Sequence, residues 1–323
     1  MTDAGPVRWG FLGAGFIASR ALAPAVHRAD GAVLQVVGAR DVERAAALEP
    51  VRTASSYAEV CASDDVDAVY IALANDDHMP WALEALAAGK HVLCEKPLGL
   101  DAGQAAALAR AAQDSGQLLV EATWSRWHPR TRRFEQLMAA VDGGPREVRT
   151  WFTFRGVPEG NYRLDPARGG GALLDVGCYA VSAALSALGA DAVEVAEVDR
   201  QVGPTGVDLT TTAVLSHTHG TATVTGSFDR PESQGITVQA PGLSVEFVGQ
   251  AFTTWQEPCA LRIIEDGVER QEQFAACDPY RLMVEAMSAR IGGADAWLLP
   301  LADSVAVAAT LDAIAASPAA SPA

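Results

Sequence analysis

A chain of 323 residues has room for about two domains, each with a sizeable core. Its net charge of −16 argues against nucleic acid and against anionic membranes, since both select basic surface. There is no apolar run of about 18 residues and no signal-like leader, and the 5 cysteines are scattered without metal-ligand spacing, so we expect a reduced, cytoplasmic protein without a metal.

Residues 7–123 alternate short apolar runs with helical patterns. "VRWGFLGAG" reads as a strand entering a glycine turn, and "FIASRALAPAVHRA" as a helix interrupted at Pro24. "AVLQVVGA" is a second strand, followed by the helical "DVERAAAL". Then come the strand "DAVYIAL", the helix "HMPWALEALAAG" and the strand "KHVLCE". A helix with Asp101 as its N-cap and the strand "QLLVEAT" close the region. This alternation predicts a doubly wound parallel sheet over 1–123.

From Trp124 the texture changes. After a helix over Pro129–Ala140, seven segments between 147 and 267 alternate with period two, which predicts an open, mostly antiparallel sheet. Helices are expected over Ala172–Leu188, 279–291 and 301–315. The second α/β domain therefore spans 124–316, and the small, Pro-rich 317–323 reads as a disordered tail.

Gly13-Ala14-Gly15-Phe16-Ile17-Ala18 fits G-x-G-x-x-A at the first strand-to-helix junction. There the first glycine permits a tight turn and the second lets a pyrophosphate approach the helix N-terminus. An NAD site wants a carboxylate at the end of the second strand. This strand ends in Arg40, which can meet a 2′-phosphate, so NADP is expected over NAD; Asp41 keeps the NAD alternative open.

Of 24 basic side chains only Lys90 and Lys96 are lysines. Where arginine is the default, a lysine marks a place where a compact ammonium is wanted. Both flank "HVLCEKPLGL", in which a charged pair and a proline end a core strand. The whole stretch "YIALANDDHMPWALEALAAGKHVLCEKPL" resembles the signature of the Gfo/Idh/MocA oxidoreductases: an N-x-x-H segment (Asn75, His78), then G-K-H-V-x-x-E-K-P through Glu95, Lys96 and Pro97. The resemblance implies a Rossmann domain followed by an α/β domain, hydride transfer between a sugar-like alcohol and NAD(P), and a catalytic Lys96. It also implies a Lys96–Pro97 bond that is often cis, cofactor contacts from Asn75, His78 and Glu95, and a homodimer or homotetramer through the C-terminal sheet.

In the second half, Asp175, Tyr179, Ser182 and Ser186 fall on one face of an otherwise apolar helix. The family usually carries histidine where Tyr179 stands. The departure resembles NADP-dependent D-xylose dehydrogenases, dimeric trans-dihydrodiol dehydrogenases and some nucleotide-sugar ketoreductases. The segment "EATWSRWHPR" resembles the first two, which puts Trp124, Arg126 and His128 beside the substrate with Arg163. For Arg126 and His128 an interface ion pair and a helix-start histidine are the structural alternatives. A free phenol is a poor base at neutral pH, so we expect Tyr179 to exchange the proton, Lys96 to stabilise its phenolate and help hold the nicotinamide ribose of the cofactor, and Asp175 to position a substrate hydroxyl; Lys96 as direct base is the rival assignment. The expected substrate is a small sugar or cyclic diol, with an aldose oxidised at C1. A nucleotide-sugar ketoreductase and a silent NADP-binding regulator are the alternatives.

Overall fold

The computed structural model describes residues 5–141 and 146–318. The chain divides into two compact units. The first takes Met1–Gly99, Gly103–Trp127 and Asp278–Ala302; the second takes Leu100–Ala102, His128–Cys277 and Asp303–Ala323. Asp278–Ala302 thus packs with the first unit although it follows the second in sequence, which a single boundary at 123 does not express. Of the tail expected at 317–323, residues 319–323 lie outside the described residues.

In chain order the first unit holds β1 (Val7–Leu12), a π-helical turn Ala18–Leu22 running into α1 (Ala23–Arg28), β2 (Ala32–Gly38), α2 (Val42–Ala46), β3 (Arg52–Ala54) and α3 (Tyr57–Ala62). It continues with β4 (Ala68–Ile71), α4 (Asn75–Ala87), β5 (His91–Cys94), α5 (Ala102–Ser115) and β6 (Leu119–Glu121). The six strands are all parallel in the order β3-β2-β1-β4-β5-β6. Every residue of β4 is buried, as a parallel strand covered on both faces requires. The order reverses between β1 and β4, and ligands bind such sheets at the carboxyl ends beside that switch point. The sequence reading missed β3 and α3, both short segments.

The second unit holds α6 (Pro129–Ala140), β7 (Arg146–Arg155), a π-helical turn Leu173–Gly177 entering α7 (Cys178–Leu188), and β8 (Glu194–Val202). Next come β9 (Asp208–His217), β10 (Gly220–Ser227), β11 (Asp229–Ala240), β12 (Leu243–Val248), β13 (Cys259–Glu265) and β14 (Val268–Phe274). The last helices are α8 (Pro279–Ile291), which belongs to the first unit, and α9 (Leu301–Ala316). The eight strands run β14-β13-β12-β11-β7-β10-β9-β8, antiparallel except for the β10–β7 pair. The core fills with one face of this sheet, α6, α7 and α9. Pro166–Leu188 is apolar and long enough to cross a membrane, but 89% of its most apolar window is buried, as in a core helix.

The π-helical turn that enters α7 lies close on β10, with Gly177 facing Gly226 so that both sides lack a side chain where they meet. A Cβ at Gly226 would stand 2.9 Å from both the Ala172 carbonyl oxygen and the Gly177 nitrogen. Within the first unit, α8 is tied to β1 by Trp9, whose Nε1–H donates to Ser288 Oγ at 3.1 Å. Arg28 pairs with Asp278 at 2.6 Å in the same unit.

Candidate active site

Gly13 and Gly15 close β1. Gly13 has φ +98° and a Cβ there would stand 2.8 Å from the Ala72 carbonyl oxygen, so the turn itself requires glycine. Gly15 differs: a Cβ there would meet only Ala72 O, at an ordinary 3.7 Å. The protein's own packing does not demand that glycine, and the open space over it fits a pyrophosphate. Phe16 is 75% exposed and Ile17 half-buried beside this loop.

At the end of β2, Arg40 is exposed. Asp41 is engaged elsewhere: Oδ1 accepts the backbone N–H groups of Glu43 and Arg44 and caps α2. Its carboxylate is thus satisfied at a helix N-terminus, which leaves the arginine as the strand's free polar head. Arg44 is a further residue that the sequence reading did not single out. Its Nη2–H donates to the Ala14 carbonyl at 2.8 Å and lays a second guanidinium against the glycine loop. Its one sequence signal is its place in the first turn after a capping aspartate.

Lys96 follows β5 at the carboxyl edge of the sheet, and its bond to Pro97 is cis. Three buried side chains hold the segment. Tyr70, wholly buried, donates its hydroxyl to Glu95 Oε1 at 2.7 Å. His78 Nδ1 lies 2.8 Å from the Pro97 carbonyl, with Nε2 3.2 Å from the Leu73 carbonyl. Glu121 Oε1 accepts Leu98 N–H at 2.8 Å. Burial pushes the Glu95 carboxyl above its usual range against the lowering effects of Tyr70 and Lys96, and burial pulls His78 down. Glu95 and His78 therefore brace the lysine from inside the fold, and Asn75, also buried, begins α4 beside them. Nothing in the sequence pattern pointed to Tyr70 or Glu121 for this work.

In the second unit Asp175 lies in the π-helical turn and Tyr179 in the first turn of α7. Sequence spacing predicts one continuous α-helix with a polar stripe; a π-helical turn replaces its first part and holds Asp175. Arg163 Nε–H donates to Asp175 Oδ2 at 2.7 Å. Burial disfavours the Arg163 charge, but Asp175, Tyr162 and Tyr179 outweigh it and hold the guanidinium above its ordinary pKa. Tyr179 is 7% exposed, with the rings of Phe152 and Phe252 each 5.6 Å away. Ser186 Oγ–H donates to the Ser182 carbonyl within the helix.

Trp124 is buried and stacks on Tyr280 at 4.4 Å within the first unit, and Arg126 is buried in the same 3-10 turn. His128 is 3% exposed and caps α6: Nδ1 accepts Arg130 N–H at 3.0 Å, and Nε2 faces Cys259 Sγ at 3.7 Å. Burial, aided by Arg130, brings it down to about 4, so it stays neutral; this is the helix-start arrangement. Among the described residues no group of three or more His, Cys, Asp or Glu could hold a metal.

Arg130 is the structural arginine of this segment. At 1% exposure it donates to the carbonyls of Val248, Gln250 and Ala251 and to Thr254 Oγ1. Replacing it with methionine removes the donor from the buried Ala251 carbonyl and Thr254 Oγ1 and from the part-buried Val248 and Gln250 carbonyls, so Arg130→Met should lower unfolding free energy by about 3 kcal/mol in urea titration. A loss below about 1 kcal/mol contradicts this bonding scheme.

A glycine loop at the switch point of a six-stranded parallel sheet, with a lysine at the carboxyl edge of β5, defines a dinucleotide-binding oxidoreductase architecture. The oxidoreductase family profile with an NAD-binding Rossmann fold, GFO/IDH/MocA, matches residues 7–123, and the GFO/IDH/MocA C-terminal domain profile matches 131–251. The chain belongs to this family. It is 38% identical to a D-xylose 1-dehydrogenase (NADP(+)) of Haloferax volcanii over 315 residues, 95% of each chain. It is 33% identical over 235 residues to the trans-1,2-dihydrobenzene-1,2-diol dehydrogenase of Mus musculus, covering 69% of this chain and 67% of that one. Among solved structures, the 3-ketoreductase KijD10 of Actinomadura kijaniata, in complex with NADP and TDP-benzene, superposes with a TM-score of 0.88 at 28% identity, over 96% of this chain and 97% of that one.

Proposed function

We propose that the protein is an NADP-dependent dehydrogenase that oxidises a free aldose of the D-xylose type at C1 to its lactone. The observation that carries this reading is the 38% identity, over 95% of both chains, to a D-xylose 1-dehydrogenase that uses NADP(+). The free Arg40 head and the Arg44 guanidinium on the glycine loop support the 2′-phosphorylated cofactor. Bound NADP+ supplies the hydride acceptor for the C1 hydrogen. Tyr179 takes the proton of the C1 hydroxyl, the Lys96 ammonium stabilises the phenolate that this requires, and Asp175 keeps the substrate oriented. We further infer a cytoplasmic enzyme that pairs through its eight-stranded sheet; light scattering at micromolar concentration reads the assembly directly.

The test is a panel of aldoses, cyclic trans-diols and nucleotide sugars, followed by NADPH absorbance with each cofactor. Turnover confined to free aldoses supports the reading. Turnover confined to a nucleoside-diphosphate sugar moves the protein to ketoreductase chemistry, the related option that the likeness to KijD10 leaves standing. Tight NADPH binding with no turnover at all points to a silent binding protein. For the cofactor, Arg40→Ser should reduce the NADP-over-NAD preference in kcat/KM by about 10- to 100-fold, the worth of one or two charge-assisted hydrogen bonds. An unchanged ratio removes Arg40 from the 2′-phosphate site.

A further inference from the structure

Arg163 sits on a loop that leaves it little freedom. Its N–H donates to Asn161 Oδ1 at 3.0 Å, and its carbonyl accepts Gly171 N–H at 2.9 Å. A Cβ at Gly170 would stand 2.6 Å from that same carbonyl oxygen, so the loop is closed on itself at this point. The guanidinium lies 4.9 Å above the Tyr162 ring, and its Nε–H is fixed on Asp175, which is 5% exposed. One edge of the fork is thereby committed.

The other edge is not. No described residue accepts a hydrogen bond from Nη1 or Nη2 of Arg163, although its side chain is only 31% exposed. Arg52, at a comparable 35%, spends its terminal nitrogens on Glu59, Ser63 and Asp65. Arg163 is therefore a pre-oriented donor set aimed at something the protein does not supply. Asp175, which holds it, lies in the turn that runs into α7, four residues before Tyr179, so the arginine is anchored at the helix start that carries the phenol.

The charge of the pair decides what the ligand is. Asp175 already neutralises the guanidinium at 2.7 Å. An anion on the terminal nitrogens would meet the buried carboxylate's repulsion together with the arginine's attraction, whereas neutral hydroxyls meet only donors. Two parallel N–H directions suit two adjacent oxygens.

We propose that Arg163, held by Asp175, offers its two terminal NH2 groups to a pair of neighbouring hydroxyls on an uncharged sugar, and so selects free aldoses over sugar phosphates. This deepens the aldose dehydrogenase reading and rests on it. Asp175 then acts as a positioning residue through the arginine.

Arg163→Lys is the test, because it keeps a cation for Asp175 and removes the fork. D-Xylose is compared with its 2-, 3- and 4-deoxy analogues and with D-xylose 5-phosphate. The wild type should prefer D-xylose over at least one deoxy analogue by about tenfold or more in kcat/KM, the cost of leaving polar groups unpaired. In Arg163→Lys this preference should shrink to below about threefold, with KM for D-xylose up by about tenfold and kcat changed far less. A purely structural arginine would lower all substrates in proportion. Retained discrimination in Arg163→Lys, or a phosphate ester used as well as the free sugar, overturns the proposal. If the wild type turns over no aldose, the dehydrogenase reading fails separately. Calorimetry of 1,5-anhydro-D-xylitol with the NADPH-loaded protein then decides: binding weakened about tenfold by Arg163→Lys supports the site, and equal or absent binding rejects it.

Discussion

Lys96→Arg should be nearly as damaging as Lys96→Met, each lowering kcat/KM by about a thousandfold, the loss of one electrostatic contact made mainly in the transition state. Guanidinium keeps the charge, so charge alone does not make arginine an adequate substitute. The reason lies in the segment that carries the lysine. Glu95 is pinned by Tyr70, Pro97 by His78 and Leu98 by Glu121, all buried. A backbone fixed on both sides of residue 96 cannot retreat to fit a wider, planar head. NADPH affinity, read by fluorescence titration, should fall by less than about tenfold in either variant, which separates lost chemistry from lost cofactor. Near wild-type turnover in Lys96→Arg would sink the claim that an ammonium is needed there. The composition agrees: in a chain with 24 basic side chains and only two lysines, one of the two sits at this edge.

The sequence announced that lysine well and its supports poorly, and the difference is physical. Gly13, Gly15 and Lys96 are tied to local backbone geometry, a turn or a strand end, and local geometry leaves a short motif. Tyr70 and Glu121 act through bonds to residues 25 and 23 positions away. Read along the chain, Tyr70 is one more apolar residue of a buried strand and Glu121 an oddity near the end of another. β14 was missed for a related reason. Its residues Glu269, Gln271 and Gln273 alternate with Arg270 and Glu272, so both faces are polar and no period stands out. It is an edge strand held by β13 and by Arg–Glu pairs such as Arg262–Glu269 at 2.8 Å and Arg270–Glu265 at 2.7 Å. The association of Asp278–Ala302 with the first unit depends on contacts like Trp9–Ser288, which no pattern over residues 278–302 encodes.

Asp175 lies in the π-helical turn Leu173–Gly177 and Tyr179 in the first turn of α7. Spacing placed Asp175 and Tyr179 together as i and i+4 of one α-helix. Asp175 also meets Arg163, twelve residues earlier. The sequence pattern put Arg163 among the substrate residues but gave no sign of its tie to Asp175.

Tyr179→Phe removes one oxygen and keeps the ring. The site is prepared for a ring: Phe152 and Phe252 pack 5.6 Å from its centroid, and the residue is 7% exposed. Stability should therefore change by less than about 1 kcal/mol, because a buried hydroxyl exchanged for hydrogen at constant shape is nearly neutral when its partner can re-pair. If Tyr179 exchanges the substrate proton, kcat should nevertheless fall by about 10² to 10⁴, the range for loss of a general acid–base group. KM for the aldose should move little, since Arg163 and Asp175 remain in place. The pH profile is the sharper readout. With the phenol gone, the limb that reports its ionisation in kcat/KM should disappear, leaving a flatter and lower curve. A Phe variant that retains that limb and loses less than about threefold in kcat makes Lys96 the direct base and leaves Tyr179 as packing.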